Sequence, residues 1–148
     1  MLEDNDITDF TLRKEDGTRC QVSELVKENR SLFIWLEESK EPTEHILNEI
    51  YQRRDAFAQP ANIYFVIRDL KVKEDPTLQR TLTGVPGVEF LLDDFDADMS
   101  VLARRMYLEP GKLPLIVVID QSMKGIYGMA GYNVGTADMI LKILNIYK

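Results

Sequence analysis

The unbroken run Leu32-Phe33-Ile34-Trp35-Leu36, followed by a stretch of helical apolar spacing, limits this chain's fold more than any other feature. A strand made of consecutive apolar residues has no side to turn toward water. It is therefore buried on both faces, as an interior strand of a covered sheet is. In SKEPTEHILNEIYQRRDAF, Ile46, Leu47, Ile50, Tyr51 and Phe57 fall on one side of a 3.6-residue helix, while Glu44, Asn48, Arg53 and Arg54 fall mostly on the other. Pro42 sits where a first-turn proline is tolerated, because that turn's N–H groups have no intrahelical partner. The sequence thus predicts a central strand that runs through a short polar connection into an amphipathic helix.

The flanking segments extend this unit. Phe10 and Leu12 alternate with polar residues, Asp16-Gly17 is a turn signal, and Cys20 and Val22 alternate again, so a β-hairpin opens the fold. Ser23 is expected to cap a short helix through SELVKEN. A second buried strand over 62–67 follows the Gln59-Pro60 break, and strand, helix, strand at this spacing makes a βαβ unit with parallel strands. Further on the sequence predicts a short helix over 77–82, a strand over 88–92, a helix over about 97–107 and the apolar run LIVVI after Leu113-Pro114. A strand over 126–131 then pairs antiparallel with LIVVI. The last helix, roughly 136–147, is expected to bury Met139, Ile140, Ile143, Leu144 and Tyr147. Residues 1–7 read as a linker and 8–148 as one domain, with no internal repeat.

Charge and cysteine content exclude several function classes. A formal net charge of −7 with no basic stripe argues against nucleic acid or an anionic membrane as the main partner. No apolar run reaches transmembrane length, and the acidic start MLEDNDITDF lacks signal-peptide character. Compartment and oligomeric state stay open. The single cysteine, Cys20, cannot form an internal disulfide or a dithiol pair.

The order of these motifs resembles the thioredoxin-like fold, in the branch that includes peroxiredoxins and TlpA/ResA-type thiol-disulfide oxidoreductases. DFTLRKEDGTRCQVSEL is similar to that branch's opening hairpin and short helix, and FIWLEESKEP looks like its strand into the active-site helix. KLPLIVVID looks like its proline-led strand, and KGIYGMAGYN with the following helix resembles its closing hairpin and last helix. The resemblance covers residues 8 to 147 and implies a central mixed β-sheet flanked by helices, with an N-terminal β-hairpin and an α/β insert before a cis-proline strand. No metal or other cofactor is expected. In family members that exchange disulfides, a C-x-x-C pair opens the helix, where the dipole lowers a thiol's pKa. Aligned on Trp35, those positions here are Ser39 and Pro42, neither of which can carry a thiolate. Pro114 matches the usually cis proline that lies against the active-site turn and exposes a backbone edge suited to an extended peptide. The alternative role for Pro114 is to shape a core turn.

Several constellations carry competing readings. Glu41 and His45, at i and i+4, share a helix face and with Glu38 offer an acid/base couple or a metal site, although acidic residues also suit a helix N-terminus for its dipole alone. The chain has one histidine, fewer nitrogen ligands than a catalytic metal site ordinarily uses. Ser39 is a nucleophile candidate, but capping is the commoner use of serine at that place. Asp94-Phe95-Asp96-Ala97-Asp98 has the D-x-D-x-D of a calcium loop, yet Met99 and Arg105 stand where glycine and glutamate are needed. Asp96 or Asp98 is expected instead to cap the next helix. Cys20 alternates with apolar partners, so a buried thiol is expected, and Arg19 should point to the opposite face. Trp35 is expected in the core. Tyr127 and Tyr132 are groove candidates, Tyr132 the more exposed.

The sequence therefore points to a redox-inactive thioredoxin-like domain that serves as a binding or structural module, alone or within a larger protein. Its candidate groove comprises Glu38, Ser39, Lys40, Glu41 and His45 on one side and Leu113, Pro114 and Tyr132 on the other. Its acidity implies a basic or polar protein or peptide partner. Three alternatives stand beside it: a non-thiol enzyme using Glu38, Glu41 and His45, a redox sensor based on Cys20, and an accessory domain. The last comes from WLEESKEPTEH, which is similar to segments of bacterial proteins carrying a transglutaminase-like domain, although no Cys/His/Asp triad appears here.

Overall fold

The computed structural model describes residues 6–7, 9–36, 43–57, 62–68, 71, 74–85, 88–93, 102–104, 106, 108, 113–131 and 135–146. Seven strands form one sheet: β1 (Thr11–Arg13), β2 (Arg19–Gln21), β3 (Ser31–Trp35), β4 (Asn62–Ile67), β5 (Val88–Leu92), β6 (Leu115–Ile119) and β7 (Gly125–Ala130). Their spatial order is β2-β1-β5-β4-β3-β6-β7. The strands β3, β4 and β5 run parallel, whereas β1, β2, β6 and β7 pair antiparallel with their neighbours, so the sheet is mixed. Five helices are α1 (Val22–Leu25), α2 (Thr43–Gln52), α3 (Arg54–Phe57), α4 (Pro76–Gly84) and α5 (Thr136–Ile146), and residues 102–104 are also helical.

The apolar run of β3 has the predicted cause. Leu32 and Ile34 belong to the core on one face of the sheet and Phe33 and Trp35 to the core on the other, and all four are fully buried. Ile63, Phe65 and Ile67 of β4 join the first core, and Tyr64 and Val66 join the second. The first core is closed by Ile46, Leu47 and Ile50 of α2, Phe57 of α3, Leu78 of α4 and Ala137 and Ile140 of α5. Leu12, Val22, Val26, Leu102 and Ala103 close the second. Each such large side chain contributes roughly 1.5–3 kcal/mol on burial, so these two layers outweigh any surface interaction described below.

Local chemistry sets the boundaries. The hairpin closes through Lys14 N–H to Thr18 O at 2.8 Å, with Gly17 at φ 89°, a conformation that glycine adopts without Cβ strain. The α4 helix is longer than the predicted 77–82. Asp75 Oδ1 accepts from the N–H groups of Thr77 and Leu78, at 2.9 and 3.3 Å, and Pro76 fits the first helical position. Between α2 and α5, Glu49 Oε1 accepts from Ala137 N–H at 3.2 Å and Arg53 Nε meets Asp138 Oδ1 at 2.6 Å.

Four local expectations are corrected. Ser23 does not cap α1: it lies inside the helix, and its N–H and hydroxyl donate to Asp9 Oδ1 and Oδ2 at 2.9 and 2.6 Å. The amphipathic segment is not one helix, because it breaks at Arg53 between α2 and α3. Tyr51 is only half-buried, with the guanidinium carbons of Arg54 and Arg80 at 4.6 and 4.7 Å from its ring centre. Met139 is 46% exposed, because the buried side of α5 is centred on Ala137 and Ile140, roughly a third of a turn away. Asp94, Asp96 and Asp98 lie outside the described residues, as do the side chains of Leu144 and Tyr147.

Candidate functional site

The parallel arrangement brings the carboxyl ends of β3, β4 and β5 to one edge of the sheet, and open α/β sheets place their ligand crevices at that edge. Trp35 ends β3 there. It pairs with Val66 on one side and Leu115 on the other, so the strand is interior, and Leu36 N–H continues the ladder to Val66 O at 3.1 Å. The Leu113-Pro114 peptide bond is cis. Pro114 directly precedes β6 and is buried, while Leu113 is half-buried and packs on the second core. The carbonyl of Pro114 accepts from Gly131 N–H at 2.8 Å.

Across the β3-to-α2 connection, His45 is exposed in the first turn of α2, whereas Thr43 and Ile46 are buried. The β3–β6 pairing thus brings Leu113 and Pro114 to the end of the strand that leads into α2. Glu37, Glu38, Ser39, Lys40, Glu41, Pro42 and Tyr132 lie outside the described residues. Tyr127 is half-buried against the first core, and burial pushes its phenol up from its ordinary pKa. Among the described residues no group of three or more His, Cys, Asp or Glu side chains is placed to hold a metal ion.

Cys20 is remote in topology from this connection. It sits on β2 opposite Leu12, half-buried on the second core, while Arg19 and Gln21 on either side are exposed. Its Sγ donates to Leu12 O at 3.4 Å. Burial above all, and then the negative charges of Glu89 and Glu24, push the thiol up against an opposing influence of Lys14. A raised pKa leaves less thiolate, the nucleophilic form.

Sequence reasoning missed how Trp35 is held. Its indole Nε1–H donates to Asp93 Oδ2 at 3.0 Å, a bond that joins residues 58 apart, and Asp93 is itself buried. Phe10 and Phe33 flank the indole with ring centres at 6.3 and 6.0 Å. A buried carboxylate requires a donor, and Trp35 is the sole tryptophan, but nothing in the intervening residues pairs the two.

Comparison with known proteins now places the architecture. No protein-family model and no curated protein matches the chain. Among solved structures, the peroxidoxin BcpB from Mycobacterium tuberculosis is similar at a TM-score of 0.65 and 18% identity, over 97% of this chain and 96% of that one. A thiol-disulfide oxidoreductase from Bacteroides fragilis matches at 0.65 and 14%, over 94% and 99%. ScoI from Arabidopsis thaliana, solved with copper bound, matches at 0.61 and 12%, over 95% and 96%. The chain therefore has the thioredoxin-like α/β fold. Within that fold it lacks the C-x-x-C motif, since its one cysteine is Cys20.

Proposed function

We propose that this chain is a redox-inactive thioredoxin-like domain that works as a protein- or peptide-binding module, by itself or as part of a longer protein. The observation that carries the reading is the place of the only cysteine. Cys20 lies in the opening hairpin with its thiol turned to Leu12 O, and no cysteine stands between β3 and α2, where this fold's disulfide chemistry is done. What remains there is a surface. The backbone beside cis-Pro114 offers an edge for an extended peptide through Leu113, because the Pro114 carbonyl is already taken by Gly131. Acidic residues at 37, 38, 41 and 44, in a chain of net charge −7, favour a basic or polar segment.

The test is amide chemical-shift mapping with a panel of extended, lysine-containing peptides. The module predicts shifts centred on Leu113, Leu115 and His45 that shrink as salt is raised. A panel that leaves those amides unmoved contradicts it. Thermal melts in EDTA and in added zinc or manganese separate it from a metal-dependent enzyme at Glu38, Glu41 and His45. The module predicts no shift of Tm, whereas an ion bound only by the native state raises it by several degrees.

A further inference from the structure

A second surface lies at the other end of the parallel strands. The α2 and α4 helices sit in the crossovers from β3 to β4 and from β4 to β5, so their last turns return to the amino ends of those strands, at the edge opposite the β3-to-α2 connection. There Tyr51, near the end of α2, lies against the last residue of α4. Gly84 leaves room for the ring, since a Cβ at that position would fall 2.5 Å from Tyr51 Cε2. The guanidinium carbons of Arg54, from α3, and Arg80, from α4, stand 4.6 and 4.7 Å from the ring centre. Both arginines are exposed.

Three arginines gather here, and the fold occupies only one of them fully. Arg53 is closed by the protein itself: its Nε and Nη2 donate to the two carboxylate oxygens of Asp138 at 2.6 and 3.3 Å, and its Nη1 donates to Glu49 O at 3.3 Å. Arg54 Nη1 donates to Tyr51 O at 3.1 Å, and Arg80 Nη2 donates to Asn48 Oδ1. Each of these last two bonds takes one of a guanidinium's five N–H donors and neutralises no charge. Among the described residues neither Arg54 nor Arg80 has a carboxylate partner, although Asp55 is exposed and adjacent to Arg54 in sequence. The helices do not require this arrangement. A basic residue near a helix C-terminus contributes about 0.3–1 kcal/mol, which accounts for one cation at the end of α2. It does not account for a second on the same ring, where like charges repel. The ring holds both forks in place, through a cation–π attraction of about 0.5–1 kcal/mol each, so less side-chain freedom is left to lose when a partner binds.

We propose that Tyr51, Arg54 and Arg80 form a docking surface for an acidic segment of another protein, with the two guanidinium forks receiving its carboxylates and Tyr51 acting as the positioning residue that holds them. Charge decides the occupant. In a chain of net charge −7, two cations that share one ring and have no carboxylate partner among the described residues are the complement of a carboxylate-rich strip. A single phosphate fits less well. The backbone groups left open at helix C-termini are carbonyls, and the amide donors that complete a phosphate site stand at the opposite helix end. The surface shares no residue with the peptide-binding face proposed above and takes peptides of the opposite charge, so either reading can fail without the other.

The experiment titrates the whole chain into a dye-labelled peptide of aspartate and glutamate at constant ionic strength and follows fluorescence anisotropy. Saturable binding with an apparent Kd of about 0.1 mM or tighter is expected, and none for the matching peptide of asparagine and glutamine. Arg54→Gln and Arg80→Gln, both at exposed positions, are each expected to weaken binding about threefold and together about tenfold. Tyr51→Leu is expected to weaken it about threefold, whereas Tyr51→Phe, which keeps the ring's face, should bind as the parent does. Absence of saturable binding of the acidic peptide overturns the proposal. So does a doubly substituted protein that retains the native circular dichroism spectrum and binds as tightly as the parent, and so does equal binding of the amide peptide. A Tyr51→Phe protein that binds no better than Tyr51→Leu overturns the positioning role. Inorganic phosphate that displaces the peptide at equal concentration reassigns the surface to a single anion. A concentration-dependent dimer in sedimentation that Arg54→Gln abolishes, with no peptide bound, reassigns it to a second copy of this chain, and either result overturns the acidic segment.

Discussion

Substituting Asp93 by Ala tests how the central strand is held at its carboxyl end. The side chain is 8% exposed and its Oδ2 receives the Trp35 indole N–H at 3.0 Å, while its own backbone N–H donates to Ile67 O at 3.0 Å. Truncation leaves the backbone bond intact and removes the acceptor. A hydrogen bond to a charged partner contributes about 1.5–3 kcal/mol, and a buried indole N–H left without an acceptor adds a desolvation cost of similar size. Against this, Asp93→Ala relieves the cost of holding a carboxylate away from water. The expected net loss is about 2 kcal/mol. Asp93→Asn, which keeps an acceptor oxygen, is expected to lose about half as much. The assay is urea unfolding followed by circular dichroism, in a cycle that combines Asp93→Ala with Trp35→Phe so that the pair's coupling is separated from Asp93's other contacts. Coupling of about 1.5 kcal/mol or more is expected. A cycle that closes to within about 0.3 kcal/mol refutes the view that this bond anchors Trp35.

Other consequences concern packing, ionisation and reactivity. A Cβ added at Gly84 would fall 2.5 Å from Tyr51 Cε2, so Gly84→Ala must shift the ring from its place beside the guanidinium groups of Arg54 and Arg80. A loss of about 1 kcal/mol in thermal unfolding is expected, and it should vanish in a Tyr51→Ala background, where alanine's smaller backbone entropy cost prevails. Tyr64 has its phenol pushed up to about 12, chiefly by burial and then by Glu89 opposite it in β5. The unfolded chain loses this proton near pH 10, so the contribution is whole below pH 10 and is lost as pH rises through 12, with a total of at most about 2–3 kcal/mol. Denaturant midpoints measured from pH 9 to 12 should fall less steeply in Tyr64→Phe. Native Cys20 is expected to react slowly with a thiol reagent at pH 7.5 and rapidly after unfolding, because its thiol is half-buried and its pKa raised. Fast native labelling would instead restore the sensor reading.

The parts of the fold written in short-range pattern were legible. The alternation of Leu32, Phe33, Ile34 and Trp35 between two cores follows from an apolar run with no polar face, and Asp16-Gly17 marked the hairpin through the positive φ that glycine accepts. Interactions between distant residues were not. Asp93 meets Trp35 only because β5 and β3 end side by side across β4, and Glu49 meets the start of α5 only because two helices share a face of the sheet. Met139 shows the limit of periodicity: spacing gives a helix an apolar side, but tertiary contacts set its rotation, and here they centre on Ala137 and Ile140. Ser23 carried the right residue type for a cap, yet Asp9, from before the hairpin, supplies the acceptor. At the candidate site, Leu113 and Pro114 were readable from their place ahead of an apolar strand.

The central claim is that this thioredoxin-like scaffold has no sulfur chemistry of its own, and catalysed reduction of insulin disulfides by dithiothreitol measures that most directly. The whole chain should give the uncatalysed rate, indistinguishable from that of its Cys20→Ser variant and from buffer, because no thiol stands at the start of α2 and Cys20 is half-buried with a raised pKa. A rate above background that disappears in Cys20→Ser would contradict the account.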